Sequence, residues 1–323
     1  MTPTRTILID TDTASDDAVA LIMALRSPAV HVAAITTVAG NVPVDQATRN
    51  ALYTAELCAS DVPIYTGAAK PLLRPLETAT WFHGVDGLGD HGFAPSTRTA
   101  SPTHAVDALI STIHANPGIE LITLGPLTNL ALALARDPSI LLHIGHCVVM
   151  GGAPCCEGNV TPAAEFNIWV DPEAARIVFR SGLPIELIGW QLSRFDAVLN
   201  PDDIAHIRAL ATPFADFALD SNSTAASAYE TQTGEPGISL PDPIAMAVLL
   251  DPALNLVSTY HHVEIETASE LTRGMTVVDR LSVATDERNR LLWSTTTHQS
   301  APAEICWKLD IAGWKSSLIR YLS

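Results

Sequence analysis

The chain has 323 residues, of which 47% are hydrophobic and 16% are charged, and its formal net charge at pH 7 is −17. This length and composition are enough for one large α/β domain with an extensive buried core. The negative charge argues against nucleic acid and anionic membrane as partners, because both bind basic surfaces.

Two features of the sequence concern the compartment. No run of about 18 apolar residues is present, so no transmembrane helix is expected, and the first ten residues, MTPTRTILID, lack the layout of a secretory signal peptide. The five cysteines form an odd, scattered set, which is typical of a reducing compartment rather than of a disulfide framework. We therefore expect a cytoplasmic protein.

Apolar runs alternate with helical patterns over the first two thirds of the chain. The predicted strands are residues 7–9, 31–38, 120–124, 147–150 and 185–189, and the predicted helices are 17–26, 44–59, 127–136 and 172–181. This alternation favours an α/β fold with an open, mostly parallel sheet and helices on both faces.

The last third of the chain has a different pattern. Residues 201–228 and 242–250 are predicted to be helical, 263–265, 275–278 and 291–294 to be strands, and 302–322 to form a terminal helix. Because no linker, repeat or low-complexity tract divides the sequence, we expect residues 1–323 to form a single domain.

Polar residues are concentrated in the segments that follow the predicted strands. The segment DTDTASDD follows the first strand, and the later segments contribute Asn41, Glu157, Asn159, Glu165 and Asn167, with Asp242 at the start of a predicted helix. In an open parallel sheet the ligand site lies at the carboxyl ends of the strands. These groups are therefore predicted to converge on one edge of the sheet.

The four acids of DTDTASDD need a common explanation. Helix capping explains Asp16 and Asp17, which precede a helical pattern, because acids suit the positive end of the helix dipole. It does not explain Asp10 and Asp12, which end a buried strand. Grouped carboxylates repel one another unless a cation compensates them, and oxygen ligands favour Ca²⁺ or Mg²⁺. A metal site is the better account.

The segment DTDTASDDA resembles the DxDxxxDD signature of the nucleoside hydrolases, the inosine–uridine-type nucleoside N-ribohydrolases. The resemblance continues in order through AGN at 39–41, HGVDGLGD at 83–90, LGPLTNLALAL at 124–134, MGGA at 150–153, AEFN at 164–167, DPEAA at 171–175 and PDPIAMA at 241–247. It covers nearly the whole chain. The resemblance implies a Rossmann-like sheet and hydrolysis of the N-glycosidic bond of ribonucleosides, which releases ribose and the free base.

The resemblance also implies roles for individual residues. Ca²⁺ would be bound by the carboxylates of Asp12, Asp17 and Asp242 and by the carbonyl of Leu124. Asp12 would take a proton from the attacking water. The ribose hydroxyls would be bound by Asp16, Asn41 and Asn167, and the 5′-hydroxyl end by Asn159 and Glu165. Asp10 would support the loop.

The residues around the leaving base are less clearly implied. Many purine-cleaving family members have a histidine directly before the last metal aspartate, where this chain has Pro241, which cannot donate a proton. His83 matches a loop histidine near the base, and its ordinary pKa of about 6.5 suits a proton carrier; a solvent-facing or capping histidine is the alternative. Trp81 would stack on the base or cover the site, and Tyr229 would contact the base or pack in the core. The implied partners are a small-molecule nucleoside and further copies of the chain, as a dimer or tetramer.

Two other functions remain open at this stage. The segment ILIDTDT also fits the strand and DxDxT motif of haloacid-dehalogenase-type phosphatases, with Asp10 as nucleophile, but that scheme gives no role to AEFN or PDP. A non-catalytic ribose-binding protein that kept the metal site but lost turnover is the second alternative, and Pro241 motivates it.

Overall fold

The computed structural model describes residues 5–288 and 301–323. Eight strands form the central sheet: β1 (Arg5–Thr11), β2 (Val30–Thr37), β3 (Ile64–Thr66), β4 (Ile119–Thr123), β5 (Ile144–Met150), β6 (Ile185–Ile188), β7 (Asn255–His261) and β10 (Ala303–Leu309). Their order is β3-β2-β1-β4-β5-β6-β10-β7, and every neighbouring pair is parallel except β10 with β7. The strands β8 (Val263–Ile265) and β9 (Thr276–Val278) form a separate antiparallel pair. The predicted mostly parallel sheet is confirmed.

Helices cover both faces of this sheet. They are α1 (Ser15–Arg26), α2 (Val44–Leu57), α3 (Thr80–His83), α4 (Ala105–Ala115), α5 (Thr128–Arg136), α6 (Phe166–Val170), α7 (Pro172–Phe179), α8 (Pro201–Ala209), α9 (Pro213–Ser221), α10 (Ser223–Thr233), α11 (Pro241–Leu250) and α12 (Ile311–Leu322). Successive residues of β1 point to opposite faces: Ile7 and Ile9 pack with α1 and α11, whereas Leu8 packs with α4 and α5. Burial on both faces explains why the parallel strands are continuously apolar.

The prediction of one terminal helix over residues 302–322 is wrong. Residues Ala303–Leu309 form β10, which inserts between β6 and β7 and buries Ala303 and Ile305. The side chain of Asp310 then caps α12 by accepting a hydrogen bond from the amide of Gly313.

Other differences involve segments whose helical or strand character comes from tertiary packing. The predicted helical stretch 201–228 is divided into α8, α9 and α10, and α9 begins where Thr212 precedes Pro213. Strands β3 and β7 and helices α3 and α4 were not predicted. The predicted strand 291–294 lies outside the described residues.

The topology places a crevice at the carboxyl end of β1. That strand pairs in parallel with β2 on one side and with β4 on the other, so the chain leaves β1 in one direction and later crosses to the opposite side. The order 3-2-1-4-5-6 within the sheet is that of the doubly wound dinucleotide-binding folds, in which ligands bind at such a switch point. The loops after β1 and β4 are therefore the expected walls of a site.

Two further observations concern the whole described chain. Within residues 5–288 and 301–323, no helix is long and apolar enough to cross a membrane. The five cysteines are all free.

Candidate active site

The loop after β1 is held by hydrogen bonds that fix its acids. Asp17 accepts from the hydroxyl of Thr11 at 2.5 Å and from the amide of Ala14 at 2.9 Å. Asp12 accepts from the amide of Asn41 at 2.6 Å through one carboxylate oxygen, Oδ2. Asn50, on α2, donates to the carbonyl of Thr13 at 2.9 Å. The loop is thus tied to β1, to the loop after β2 and to α2.

Three buried carboxylates meet where two helices begin. Oxygen atoms of Asp16, Asp17 and Asp242 lie within 4.8 Å of one another. Asp16 and Asp17 are in the first turn of α1, Asp242 is in the first turn of α11, and these two helices pack together. Pro241 occupies the first position of α11, where the fixed φ of proline suits helix initiation and the missing N–H has no helical partner to lose. We refer to Asp16, Asp17 and Asp242 as the acidic trio.

Asp12 lies beside the acidic trio and is closely enclosed by backbone. A Cβ atom at Gly40 would lie 2.1 Å from its Oδ2, and a Cβ at Gly125 would lie 2.6 Å from its Oδ1. Any larger residue at these two positions would displace the carboxylate. Sequence reasoning did not single out either glycine; each lies within a quoted motif, AGN or LGP, but the close approach exists only in the folded chain.

Several carboxylate oxygens in this cluster are buried without compensation. Oδ1 of Asp12 and Oδ1 of Asp16 have no hydrogen-bond partner among the described residues. Burial raises the pKa of Asp16 and of Asp17 to about 6, with the charge of Asp16 contributing at Asp17. Burial and the neighbouring carboxylates also raise the pKa values of Asp12 and Asp242 well above the ordinary value. A buried, oxygen-only cluster of this kind fits a hard divalent cation.

The end of β4 brings a backbone oxygen to the same place. Leu124 follows β4 directly, and its carbonyl accepts a hydrogen bond from Nδ2 of Asn167 at 2.8 Å. The same nitrogen lies 3.3 Å from the carbonyl of Met150 at the end of β5. Asn167 therefore links the carboxyl ends of two neighbouring strands beside the acidic trio.

A partly open cleft lies above the acidic trio. Nine of the predicted site residues line it: Asp16, Asn41, Trp81, His83, Leu124, Asn159, Glu165, Asn167 and Asp242. Asp12 and Asp17 are fully buried beside it and do not line it. Phe82, expected beside Trp81 to stack on the base or cover the site, also lines the cleft, whereas sequence reasoning did not place the other lining residues there, among them Val160, Phe166, Trp190, Gln232 and Ser239. These come from separate segments with no common motif. The cleft lining thus combines buried acids with several aromatic side chains.

Glu165 and Asn159 order the loop that follows β5. Glu165 caps α6: one oxygen accepts from the amide of Asn167 at 2.8 Å, and the other accepts from the amide of Gly152 at 2.7 Å. Burial raises the pKa of Glu165 to about 7. Asn159 accepts from the amide of Phe166 at 2.9 Å. Both side chains thus form part of the cleft wall and hold the loop in place.

His83 is buried at the end of α3 rather than exposed to solvent. Its Nδ1 lies 2.8 Å from the hydroxyl oxygen of Ser15 and 3.7 Å from Oδ1 of Asp16. Burial lowers the pKa of His83 to about 4, although the charge of Asp17 acts in the opposite direction. The expectation that His83 titrates near its ordinary value is therefore wrong, and the imidazole is neutral at pH 7 in this environment.

The aromatic predictions have different outcomes. Trp81 lies at the cleft with 60% of its surface exposed and makes an edge contact with Phe82, with ring centroids 5.4 Å apart. Tyr229 is only 1% exposed and packs against Trp190 and Val198, outside the residues that line the cleft. The base contact expected of Tyr229 is corrected to packing, because α10 turns this side chain into the core.

Asp10 also lies outside the cleft lining. Its Oδ1 accepts from the hydroxyl of Thr36 at 2.6 Å and from Nδ2 of Asn129 at 2.8 Å, and burial raises its pKa to about 7. Asp10 thus links β1 to β2 and to α5, away from the cleft where a nucleophile would be needed. The geometry does not favour the phosphatase alternative.

This combination of a switch-point cleft, buried acids and an aromatic wall agrees with the comparison to known proteins. Residues 7–316 match the family model described as inosine-uridine preferring nucleoside hydrolase. The chain belongs to this family and is a hydrolase that acts on the N-glycosyl bonds of nucleosides.

Individual relatives extend this finding over the full length. The chain is 41% identical over 293 residues to the pyrimidine-specific ribonucleoside hydrolase RihA of Shewanella woodyi. The matched region covers 88% of this chain and 92% of that protein. The solved structure of a plant nucleoside hydrolase, PpNRh1, is similar with a TM-score of 0.91, 32% identity and 99% of both chains covered. The purine-preferring ribonucleoside hydrolase from Gardnerella vaginalis has a TM-score of 0.87 and 30% identity, with 98% of both chains covered.

Proposed function

We propose that this protein is a Ca²⁺-dependent ribonucleoside hydrolase that splits the N-glycosidic bond of purine or pyrimidine ribonucleosides into ribose and free base. The observation that carries the proposal is the cleft lining, which combines Asp16 and Asp242 of the acidic trio with several aromatic side chains. A ribose needs polar contacts and a cation-compensated acidic floor, whereas a planar base suits an apolar aromatic wall.

The proposed Ca²⁺ ligands are the carboxylates of Asp12, Asp17 and Asp242 and the carbonyl of Leu124. These groups supply oxygen atoms only, and three of them are anionic. Ca²⁺ accepts many carboxylate and carbonyl ligands in flexible geometry, whereas Mg²⁺ usually keeps several waters and takes one or two carboxylates. The donor set therefore favours Ca²⁺.

Asp12 is the proposed general base. A divalent cation at this position supplies Lewis acidity, which makes a water molecule easier to deprotonate. Oδ2 of Asp12 is held by the amide of Asn41, while its Oδ1 has no partner among the described residues and can accept a proton. The enclosing glycines, Gly40 and Gly125, keep the carboxylate in that orientation.

The ribose is proposed to lie on the polar wall of the cleft. The unpartnered Oδ1 of Asp16 suits a sugar hydroxyl, and Asn41 and Asn167 line the same region. Asn159 and Glu165 would receive the 5′-hydroxyl end. The transition state of glycosyl transfer has oxocarbenium character, so carboxylate and amide oxygens around the sugar stabilise its positive charge.

The base is proposed to lie against the aromatic wall. Trp81 would cover or stack on its face. His83, neutral at pH 7, would contribute a hydrogen bond to the base rather than a proton from an imidazolium ion. Since Pro241 has neither an N–H nor a polar side chain, His83 is the nearer source of such a bond.

A reducing-sugar assay on a nucleoside panel, with and without chelator, tests this function. Uridine and cytidine head the panel because RihA, at 41% identity, is named pyrimidine-specific, and inosine and guanosine follow. We expect ribose release that chelator abolishes and Ca²⁺ restores. Nucleoside binding by calorimetry without ribose release would instead support the non-catalytic alternative, and no release from any nucleoside contradicts the proposal. The Asp216→Asn variant changes an exposed, ion-paired acid and is the matched control.

We also propose that the whole chain, residues 1–323, acts as one unit in the cytoplasm and assembles as a homodimer or homotetramer. The free cysteines are compatible with a reducing compartment. Light scattering after gel filtration measures the assembly, and a mass of a single chain, 34.3 kDa, would contradict it.

A further inference from the structure

Ser15 makes a contact that none of the roles above uses. It is the first residue of α1, it is fully buried, and its hydroxyl oxygen lies 2.8 Å from Nδ1 of His83. Its own carbonyl accepts a hydrogen bond from Nδ2 of Asn222 at 3.1 Å. Ser15 is thus fixed on one side to Asn222, the residue between α9 and α10, and faces His83 on the other.

The hydrogen-bond partners available to Ser15 and His83 determine which of the two side chains donates. The imidazole nitrogen is the partner of the Ser15 hydroxyl among the described residues, and a buried hydroxyl proton without an acceptor is costly. The hydroxyl therefore donates and Nδ1 accepts. A neutral imidazole that accepts at Nδ1 carries its proton on Nε2. Oδ1 of Asp16, at 3.7 Å from Nδ1, is too distant to compete as an acceptor.

Two other polar side chains of the cleft donate to backbone carbonyls. Gln232 donates to the carbonyl of Asn159 at 2.7 Å, and Ser239 donates to the carbonyl of Ser193 at 2.8 Å. Pro241 has no proton to donate. Nε2 of His83, which carries the proton in this tautomer, can therefore act as a donor to the leaving base.

We infer that Ser15 is a positioning residue that holds His83 in its Nε2–H tautomer and so makes the imidazole a hydrogen-bond donor to the leaving base. This inference rests on the proposed function, since it presumes that a nucleobase occupies the cleft beside its aromatic side chains. It restricts the favoured substrates to bases with an acceptor, a carbonyl oxygen or a ring nitrogen, on the edge that faces His83. No proton need be transferred from an imidazolium ion.

Removing the hydroxyl should reverse the imidazole's role. In Ser15→Ala the Nε2–H tautomer loses the hydroxyl that holds it, and the negative charge of Asp16, 3.7 Å from Nδ1, then favours a proton on Nδ1, which leaves Nε2 as an acceptor. The bond to the base is then lost or repulsive. Ser15→Thr retains the hydroxyl and should restore the wild-type tautomer.

The kinetic experiment compares two leaving groups in the holoenzyme. For uridine we expect Ser15→Ala to lower kcat by about tenfold or more, the order expected for one hydrogen bond realised in the transition state. For p-nitrophenyl riboside, whose leaving group needs no donor, we expect a loss below about threefold. Ser15→Thr should recover most of the uridine activity, and Ser227→Ala, an exposed serine of α10, is the control. Equal losses on both substrates would overturn the inference.

A second measurement does not depend on turnover. The ¹⁵N shifts of the His83 ring, assigned by comparison with a His83→Gln variant, report which nitrogen carries the proton. We expect protonated Nε2 in the wild type and in Ser15→Thr, and protonated Nδ1 in Ser15→Ala, with thermal melts confirming that each variant is folded. Protonated Nδ1 in the wild type overturns the inference even if ribose is released. Wild-type enzyme that cleaves neither substrate is instead a failure of the proposed function.

Discussion

The two ends of the central sheet handle buried charge in opposite ways. At the amino ends of β1, β4, β5 and β6, a row of side chains alternates in sign: Arg5, Glu120, His146 and Glu186. Arg5 donates to Glu120 at 2.6 Å, His146 lies 3.7 Å from Glu120, and His146 Nε2 lies 3.0 Å from Glu186. At the carboxyl ends, the basic neighbour shown for the acidic trio is His83, 3.7 Å from Asp16, and burial lowers its pKa to about 4.

The pKa values show the consequence. Burial alone would raise the pKa of Glu120, but hydrogen bonds from Arg5 and His146 lower it to about 2, and the bonds to Glu120 and Glu186 raise the pKa of His146 to about 9. At the opposite end burial raises the pKa of Asp16 and Asp17 to about 6. At the amino ends the buried charges are paired within the protein. At the carboxyl ends the negative charge of the carboxylates is uncompensated until a cation binds. Positioning a reactive site therefore works against the stability of the metal-free chain.

The largest expected effect comes from Asp12→Asn. The substitution keeps the shape and an oxygen that can accept from the Asn41 amide, but removes the proposed base and one metal charge. We expect turnover on uridine to fall by at least about 10²-fold, the low end for removal of a general base. In chelator, folding should survive, since a buried repelling charge is neutralised.

Thermal melts with and without Ca²⁺ accompany this assay. The wild type should gain more stability from Ca²⁺ than the variant, because binding to the folded state alone raises the melting temperature. Near-normal turnover of Asp12→Asn would show that Asp12 is not the general base, even if the variant bound the metal more weakly.

The next effect concerns the pH dependence of the metal-free protein. Asp16 and Asp17 have folded-state pKa values of about 6, above the ordinary value of 3.8, so the folded state holds more protons than the unfolded state between these values. Their contribution to stability is present below about pH 4 and is lost as pH rises through about 6. We expect the free energy of unfolding in chelator to decline over this window.

Saturating Ca²⁺ should flatten that decline above about pH 6, because the cation compensates the ionised carboxylates. Urea denaturation at a series of pH values, in chelator and in Ca²⁺, measures both curves. Parallel curves in the two conditions would show that the cation does not bind beside Asp16 and Asp17.

Much of the site at the carboxyl ends of the strands could be predicted from the sequence. The acids of DTDTASDD could be predicted as a site because they interrupt an apolar strand pattern, and Asn41, Asn167 and Asp242 follow other strands or begin a helix. Glu165 could not be recognised as a helix cap, since α6 is a short turn with no helical pattern of its own. Gly40 and Gly125 needed the folded chain, because they approach Asp12 from different strands.

Apart from the segment around Trp81 and His83, the base-side wall could not be predicted, for the same physical reason. Trp190 follows β6 and Gln232 lies on α10, and they are brought to one cleft only by the packing of these elements. The lowered pKa of His83 depends on burial that no local pattern encodes. At the amino end, the residues of the charged row belong to four strands, and their alternation appears only once the strand order is known.

The smallest expected effect comes from His146→Gln, which breaks the charged row. Because the folded-state pKa of His146, about 9, is above its ordinary value of 6.5, its contribution to stability is fully present below about pH 6.5 and is lost as pH rises through about 9. We expect the variant to lose of the order of 1 kcal/mol at pH 6, since the row is only partly buried and water screens it. This difference should disappear above about pH 9, and turnover on uridine should be unchanged because the row lies at the end of the sheet opposite the cleft.

His31→Gln, which changes an exposed histidine of β2, is the matched control. A stability loss in His146→Gln that persists undiminished at pH 10 would mean that His146 acts through packing rather than charge, and a fall in turnover would show that the two ends of the sheet are coupled.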